Sequence, residues 1–220
     1  MKIEHIKKGY RGKTVLKDIS FEASNGQCIG ILGGNGSGKS TLLSILAGVQ
    51  KSENGSFFYN GTDFIKNSKK RLASLGYVPQ NMPLLDELTA HDNLRLWYNE
   101  SALYKSLQSG VLAMLGIGDF LKVPVHKMSG GMKKRLAIGC AVAHNPQILL
   151  LDEPSAALDL LCKERIYNYL LDFKSGGGII VLATHDVQEL PLCDKLFILK
   201  DGYLTPCIFD GNIHRLAGKL

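Results

Sequence analysis

No run of apolar residues in this 220-residue chain approaches the ~18–20 needed to cross a bilayer. The longest, ILLL (148–151) and IIVLA (179–183), have the length of buried strands. The start, MKIEHIKKGY, carries charges where a secretion signal has its apolar core. The chain is therefore expected to be made and kept in the cytosol. Cysteine is scarce: Cys28, Cys140, Cys162, Cys193 and Cys207 are odd in number, form no CxxC pair and sit beside apolar residues. That pattern excludes zinc-ligand spacing and predicts small, reduced core side chains. A long basic tail is also lacking. The net charge of +6 suits a nucleotide, a nucleic acid or an anionic membrane face. The positive residues are scattered, however. The small clusters Lys69-Lys70-Arg71 and Lys133-Lys134-Arg135 read as solvated surface, so no nucleic-acid partner is expected.

Low-complexity linkers and internal repeats are missing too, and length predicts a single domain over 1–220. Hydrophobic content of 45% and charged content of 21% are those of an ordinary globular chain. KIEHIKK, TVLKDISFEA and SFFYNG alternate with period two between Gly-rich turns, which predicts an antiparallel N-terminal part. QCIGIL reads as a fully buried strand. Residues 86–122 change to helical spacing, as in ELTAHDNLRLWYNE and SLQSGVLAMLGI. Together with its flanks this predicts a helical insertion over about 82–145. The pattern then becomes GGMKKRLAIGCAVAH (helix, closed by Asn145-Pro146), QILLLDEP (buried strand), LLCKERIYNYLLDF (helix) and GIIVLATHD (buried strand). KLFILKDGYL reads as a hairpin through Asp201-Gly202. The fold class is α/β with a mostly parallel sheet.

The densest chemical signal is GGNGSGKST, Gly33 to Thr41: four glycines, one lysine and three hydroxyls in nine positions, between a buried strand and a helix. Gly33-x-x-x-x-Gly38-Lys39-Ser40 has full Walker A spacing. Gly33, Gly34, Asn35, Gly36, Ser37 and Gly38 bring backbone N–H groups around phosphates, and the helix that follows points its positive end at them. Lys39 can reach the β and γ phosphates, Ser40 is placed to ligate Mg²⁺, and Thr41 completes the loop. ILLLD ends in Asp152, followed by Glu153. An acid at the carboxyl end of a buried strand is where the metal of such a loop is held. Asp152 would coordinate Mg²⁺ and Glu153 would polarise the attacking water.

Those two motifs leave kinases, GTPases, helicases and transport ATPases open. MSGGMKKR (128–135) narrows the choice, because Ser129, Gly130 and Gly131 open a second anion-binding helix end. With it the chain resembles the ATP-binding cassette (ABC) ATPases, whose signature is usually Leu-Ser-Gly-Gly-Gln; here Met128 and Met132 flank the retained Ser and Gly. The resemblance runs from about Tyr10 to Gly202 with every motif in family order. It implies a P-loop NTPase core carrying a helical signature subdomain, ATP and Mg²⁺ as ligands, and two subunits sandwiching two nucleotides. It assigns Gln80, in GYVPQ, to Mg²⁺ and the attacking water, and His185, in VLATHD, to the γ-phosphate. Ser155-Ala156-Ala157-Leu158-Asp159 matches the loop that crosses the dimer interface, and Tyr10 the aromatic that stacks on adenine. A separate membrane-spanning permease is implied, with Met82, Leu84, Leu85 and Leu88 placed where it docks. The protein is then peripheral on the cytoplasmic face of the cell membrane. SGGMKKRL and LLDELTAHDNL resemble exporters more than nutrient importers. The alternative is a soluble non-transport ABC ATPase acting on ribosomes or nucleic acid. Such chains usually carry paired cassettes, coiled coils or zinc modules, and none is found here.

Overall fold

The computed structural model describes residues 1–10, 12–156 and 158–218; Ala157, assigned above to the interface loop, lies outside them. Ten strands appear in the described residues: β1 (Lys2–Tyr10), β2 (Lys13–Glu22), β3 (Cys28–Leu32), β4 (Asn54–Tyr59), β5 (Thr62–Asp63), β6 (Leu75–Val78), β7 (Ile148–Asp152), β8 (Ile179–Ala183), β9 (Lys195–Lys200) and β10 (Tyr203–Cys207). The helices are α1 (Lys39–Ala47), α2 (Ser68–Ser74), α3 (Ala90–Arg95), α4 (Glu100–Ser109), α5 (Val111–Met114), α6 (Gly130–Ala141), α7 (Leu160–Ser175) and α8 (Ile213–Ala217). The strands form one sheet in the order β5-β4-β1-β2-β10-β9-β3-β8-β7-β6. From β9 to β6 every pairing is parallel. The β1, β2, β4 and β5 end is antiparallel.

Period-two alternation in the central strands divides the core between two faces. Leu149 and Leu151 of β7 and Ile180 and Leu182 of β8 join the helices α3–α6 and α7 on one side. Ile148, Leu150, Ile179 and Val181 meet Leu42, Leu43, Ile45 and Leu46 of α1 on the other. Every residue of β3, β7 and β8 is buried, which is why these segments read as unbroken apolar runs. The β9–β10 hairpin turns through Asp201 (φ 52°) and Gly202 (φ 81°), the positive pair a type I′ turn requires.

The helix expected over 130–144 ends at Ala141. Asn145 sits at φ 52° and Pro146 has no N–H, so the last residues form turns. The two basic clusters also differ from the expectation of solvated surface. Arg71, Lys134 and Arg135 are buried. Arg71 donates to the Phe64 carbonyl and Arg135 to that of Leu115, both at 2.9 Å, while the Arg135 guanidinium stacks 4.8 Å from the Phe120 ring centre. The two arginines tie these backbone segments together.

The five cysteines are free, and four of them are buried.

Leu150 lies at the centre of β7 with no exposed surface. Leu150→Ala should cost roughly 2–5 kcal/mol, the usual range for a buried leucine truncated to alanine. Urea unfolding should show a lowered midpoint with an unchanged slope.

Candidate active site

The loop between β3 and α1 wraps a cavity of about 370 Å³ lined by Asn35 to Thr41, Val15, Gln80 and Glu153. Three glycines are required by geometry, Gly36 by its left-handed φ of 78°. A Cβ on Gly33 would lie 2.6 Å from both the Leu199 carbonyl oxygen and Ser37 Oγ, and Gly38 caps α1 at φ 109°. A Cβ on Gly34 or Gly36 would meet nothing within 4 Å. Lys39 Nζ donates to the Gly33 and Gly34 carbonyls at 2.7 and 3.2 Å. Burial lowers its pKa, against the pull of Glu153 and Asp152. Ser37 Oγ is buried without a hydrogen-bond partner. The first turn of α1 carries no acid, so its dipole offers an unopposed positive end.

The strand order brings the other expected residues to this edge. Asp152 ends β7, buried, and burial pushes its carboxyl up while the Ser40 hydroxyl, Lys39 and Lys134 pull it down. Glu153 follows in a left-handed conformation, φ 50°, with its N–H donating to the Ala183 carbonyl. That conformation costs a non-glycine residue about 1–3 kcal/mol and is kept where the surroundings enforce it. Its two carboxylate oxygens are held separately. Gln80 Nε2 donates to Oε2 at 3.2 Å, and His185 Nδ1, when it carries the proton, donates to Oε1 at 3.0 Å. Three residues far apart in the chain thus meet on one carboxylate.

Tyr10 is not part of that cavity's lining. It is partly exposed, its hydroxyl donates to Gln50 Oε1, and the Lys8 ammonium lies 5.1 Å from its ring centre. Ser129, Gly130, Gly131 and Asp159 also lie outside it and form a second group. Ser129 caps α6 by accepting from the Met132 N–H, and Asp159 caps α7 by accepting from the Cys162 N–H. A Cβ on Gly131 would fall 2.5 Å from Cys162 Sγ, so the two helix starts pack closely. Ser129 and Gly130 are exposed.

Several residues at the site escaped sequence reasoning. Val15 lines the loop cavity from β2. Lys134 was read with its surface cluster, yet it is buried where Asp152, Glu153 and Glu189 act on it. Behind His185, Asp186 accepts from Lys163 Nζ at 2.6 Å and lies 3.4 Å from Ser155 Oγ. The available signal for Asp186 was its spacing from Thr184, whose hydroxyl accepts the Asp186 N–H.

A glycine loop between a buried strand and a helix, with an acid pair at the end of β7 whose second carboxylate is clamped by Gln80 and His185, defines a nucleoside-triphosphate-hydrolysing site. A sequence model of the ABC transporter family matches residues 16–156. The linearmycin resistance ATP-binding protein LnrL of Bacillus subtilis is 34% identical over 92% of this chain and 67% of its own length. Nod factor export ATP-binding protein I of Sinorhizobium fredii is 32% identical over 98% of this chain and 64% of its own length. The chain therefore spans about two thirds of these relatives. A solved dimeric ATP-binding cassette in a post-hydrolysis state, bound to ADP and Pi, matches with a TM-score of 0.78 at 28% identity, over 92% of this chain and 95% of that one. The chain belongs to the ABC transporter family and is an ATP-binding, ATP-hydrolysing cassette. No helix among the described residues is long and apolar enough to cross a membrane.

Burial raises the pKa of Glu189, and nearby Asp186 adds to the rise; the Ser155 and Thr184 hydroxyls and Lys163 oppose it, and Lys134 is the other cation facing it. The folded chain therefore holds this proton to higher pH than the unfolded chain, whose glutamate titrates near 4.5. The associated stability is complete below that pH and is lost as pH rises through the raised folded value. Glu189→Gln should flatten this decline, read as urea midpoints measured from pH 4 to pH 7.

Proposed function

We propose that this chain is the ATPase subunit of an exporter, working as one of two cassettes beneath a separate membrane-spanning permease on the cytoplasmic face. The observation that carries the catalytic part is the Glu153 carboxylate, held by Gln80 and His185 at the mouth of the glycine-loop cavity. The export direction rests on the names of the two relatives, one for resistance and one for export, together with the short SGGMKKRL signature.

In this reading the backbone N–H groups of Gly33 to Thr41 hold the ATP phosphates, and Lys39 Nζ turns from the loop carbonyls to the β and γ oxygens. Tyr10 takes the adenine. Ser129, Gly130 and Gly131 of a second cassette close over the γ-phosphate, which accounts for the exposure of Ser129 and Gly130 outside this chain's own loop cavity. Asp159 holds the start of α7 at that interface. Glu153 accepts a proton from water as the water oxygen attacks the γ-phosphorus in line. The bond to the β-γ bridging oxygen breaks, and ADP leaves with the charge spread over Lys39. Gln80 and His185 keep the carboxylate aimed.

Ser40 and Asp152 fit a Mg²⁺ ion. Both offer oxygen, the donor this hard cation takes, and one or two protein ligands beside phosphates and water are its usual set. Among the described residues no group of three acidic, histidine or cysteine side chains competes as a closed metal cage. When bound, Mg²⁺ would neutralise phosphate charge, with Gln80 next to it. Residues 82–145 form the helical unit of a single cassette over 1–220. Its loop carries Leu85, which is exposed, whereas Met82 and Leu84 pack on the core. Leu88 is half-buried and outside that core, so Leu85, with Leu88 beside it, is left to meet the permease.

Glu153→Gln should slow phosphate release by at least ~10²-fold, the scale for a positioned base, while ATP binding survives. Turnover near wild type would remove Glu153 from the mechanism. A tagged chain purified from gently solubilised membranes, after salt and nuclease washes, should bring down a stoichiometric multi-span protein. Recovery of ribosomal or DNA-associated proteins instead would overturn the transport reading and leave the catalytic one standing.

A further inference from the structure

Two of the five cysteines meet although they lie 165 residues apart. Cys28 opens β3, and Cys193 comes just before β9, the parallel neighbour in which Lys195 pairs with Ile29. Cys28 Sγ donates to Cys193 Sγ at 3.8 Å, and Cys193 Sγ donates to the Glu189 carbonyl at 3.7 Å. The backbone beside the pair is fixed. The Asp194 N–H donates to the Cys28 carbonyl at 2.8 Å, the Cys28 N–H donates to Asp194 Oδ2 at 2.7 Å, and Lys174 Nζ holds Asp194 Oδ1 at 2.8 Å. Room for the second sulfur depends on Gly30, where a Cβ would lie 2.7 Å from Cys193 Sγ. The two thiols differ in access. Cys28 has no exposed surface, whereas Cys193 is half-buried and lines a surface cavity of about 620 Å³ with Leu190, Pro191, Phe197 and Phe209.

We propose that Cys28 and Cys193 are an oxidisable pair, joined as a disulfide by a hydroperoxide that enters this cavity. Cys193 gives its proton to solvent and attacks as the thiolate. A peroxide oxygen joins the sulfur, the O–O bond breaks, and the departing oxygen takes a proton and leaves as water or an alcohol. Cys193 is then a sulfenic acid. Cys28 Sγ attacks that sulfur, the S–O bond breaks, and the hydroxide leaves with the Cys28 proton as water. Two thiols have lost two electrons and two protons to one peroxide. The order follows from access and from the contact itself. The hydrogen bond to Cys193, and then burial, hold the Cys28 thiol well above its ordinary pKa, so it waits protonated as the resolving partner. The sulfurs must close from 3.8 Å to the ~2.0 Å of a disulfide, and the backbones that carry them are already paired. The bond would tie the start of the strand that feeds the glycine loop to the end of the 3-10 segment Val187–Leu192, which begins two residues after His185. This chemistry does not depend on the proposed export role and is measured without ATP.

The test uses the full chain, reduced, folded and free of nucleotide, treated with an excess of hydrogen peroxide. Thiols left over are alkylated, and the chain is digested without reductant for mass mapping. A peptide pair joined through Cys28 and Cys193 should appear, with two free thiols lost per chain and both regained in dithiothreitol. Cys28→Ala should stop the reaction at the Cys193 sulfenic acid, trapped with dimedone. Cys193→Ala should leave Cys28 unoxidised under the same treatment. The map of the unaltered chain stands whether or not either variant folds. A chain that keeps all five thiols under the peroxide excess would overturn the inference. So would a link from Cys193 to Cys207, which lines the same cavity, or oxidation of Cys28 in Cys193→Ala as fast as in the unaltered chain.

Discussion

The parallel register of β3, β8 and β7 is the constraint on which the rest of this molecule depends. Ile29 pairs with Val181, and Leu151 with Leu182, so all three strands end at one edge of the sheet. The glycine loop leaves the end of β3, Glu153 leaves the end of β7, and His185 leaves the end of β8. None of these residues needs a long connection to reach the others. The strands hold that register because both of their faces are buried, one under α1 and one under the helices of 90–141 and α7. A slip by one residue would exchange the two faces and carry Asp152 off the edge.

Electrostatics at that edge follow from the same burial. Asp152 and Glu153 stand side by side, and desolvation disfavours the charge on Asp152. Two cations offset this, Lys39 from α1 and Lys134 from α6. They come from opposite layers of the fold, so the acid pair lies where the two cores meet. Desolvation in turn lowers the pKa of both lysines. Each ion is tolerable only because the others are present, which is the usual condition for buried charge. The strained backbone at Glu153 fits this picture. The N–H bond to Ala183 and the two side-chain bonds from Gln80 and His185 hold a conformation that the residue alone would avoid.

Local chemistry was legible in the sequence, and convergence from a distance was not. Residues 33–41 read as a phosphate loop because strand, glycines, lysine and helix are contiguous. ILLLD and IIVLA read as buried strands because both faces are covered, and Asp201-Gly202 read as a turn because its two positive φ angles demand those residues. Gln80 and His185 could be picked out by family resemblance alone; nothing local to either reports that they share one carboxylate. Lys134 and Arg135 were misread for the same reason, since a basic triplet looks solvated until the helix that carries it is placed against a sheet. Glu189 left no trace at all in its neighbourhood, which is a short polar-apolar mixture around Pro191.

The unequal treatment of the acids around His185 is instructive about how such a site is built. Asp186 has a lysine at 2.6 Å and its own N–H satisfied by Thr184, and it holds the turn. Glu153 has both oxygens occupied, but by a glutamine and a histidine whose side chains are exposed and can exchange partners. Glu189 has one oxygen with no partner. Structural carboxylates are closed by charge, and a working one is held by groups that can let go. By that criterion Asp186 belongs to the scaffold, Glu153 to the chemistry, and Glu189, buried yet incomplete, to neither.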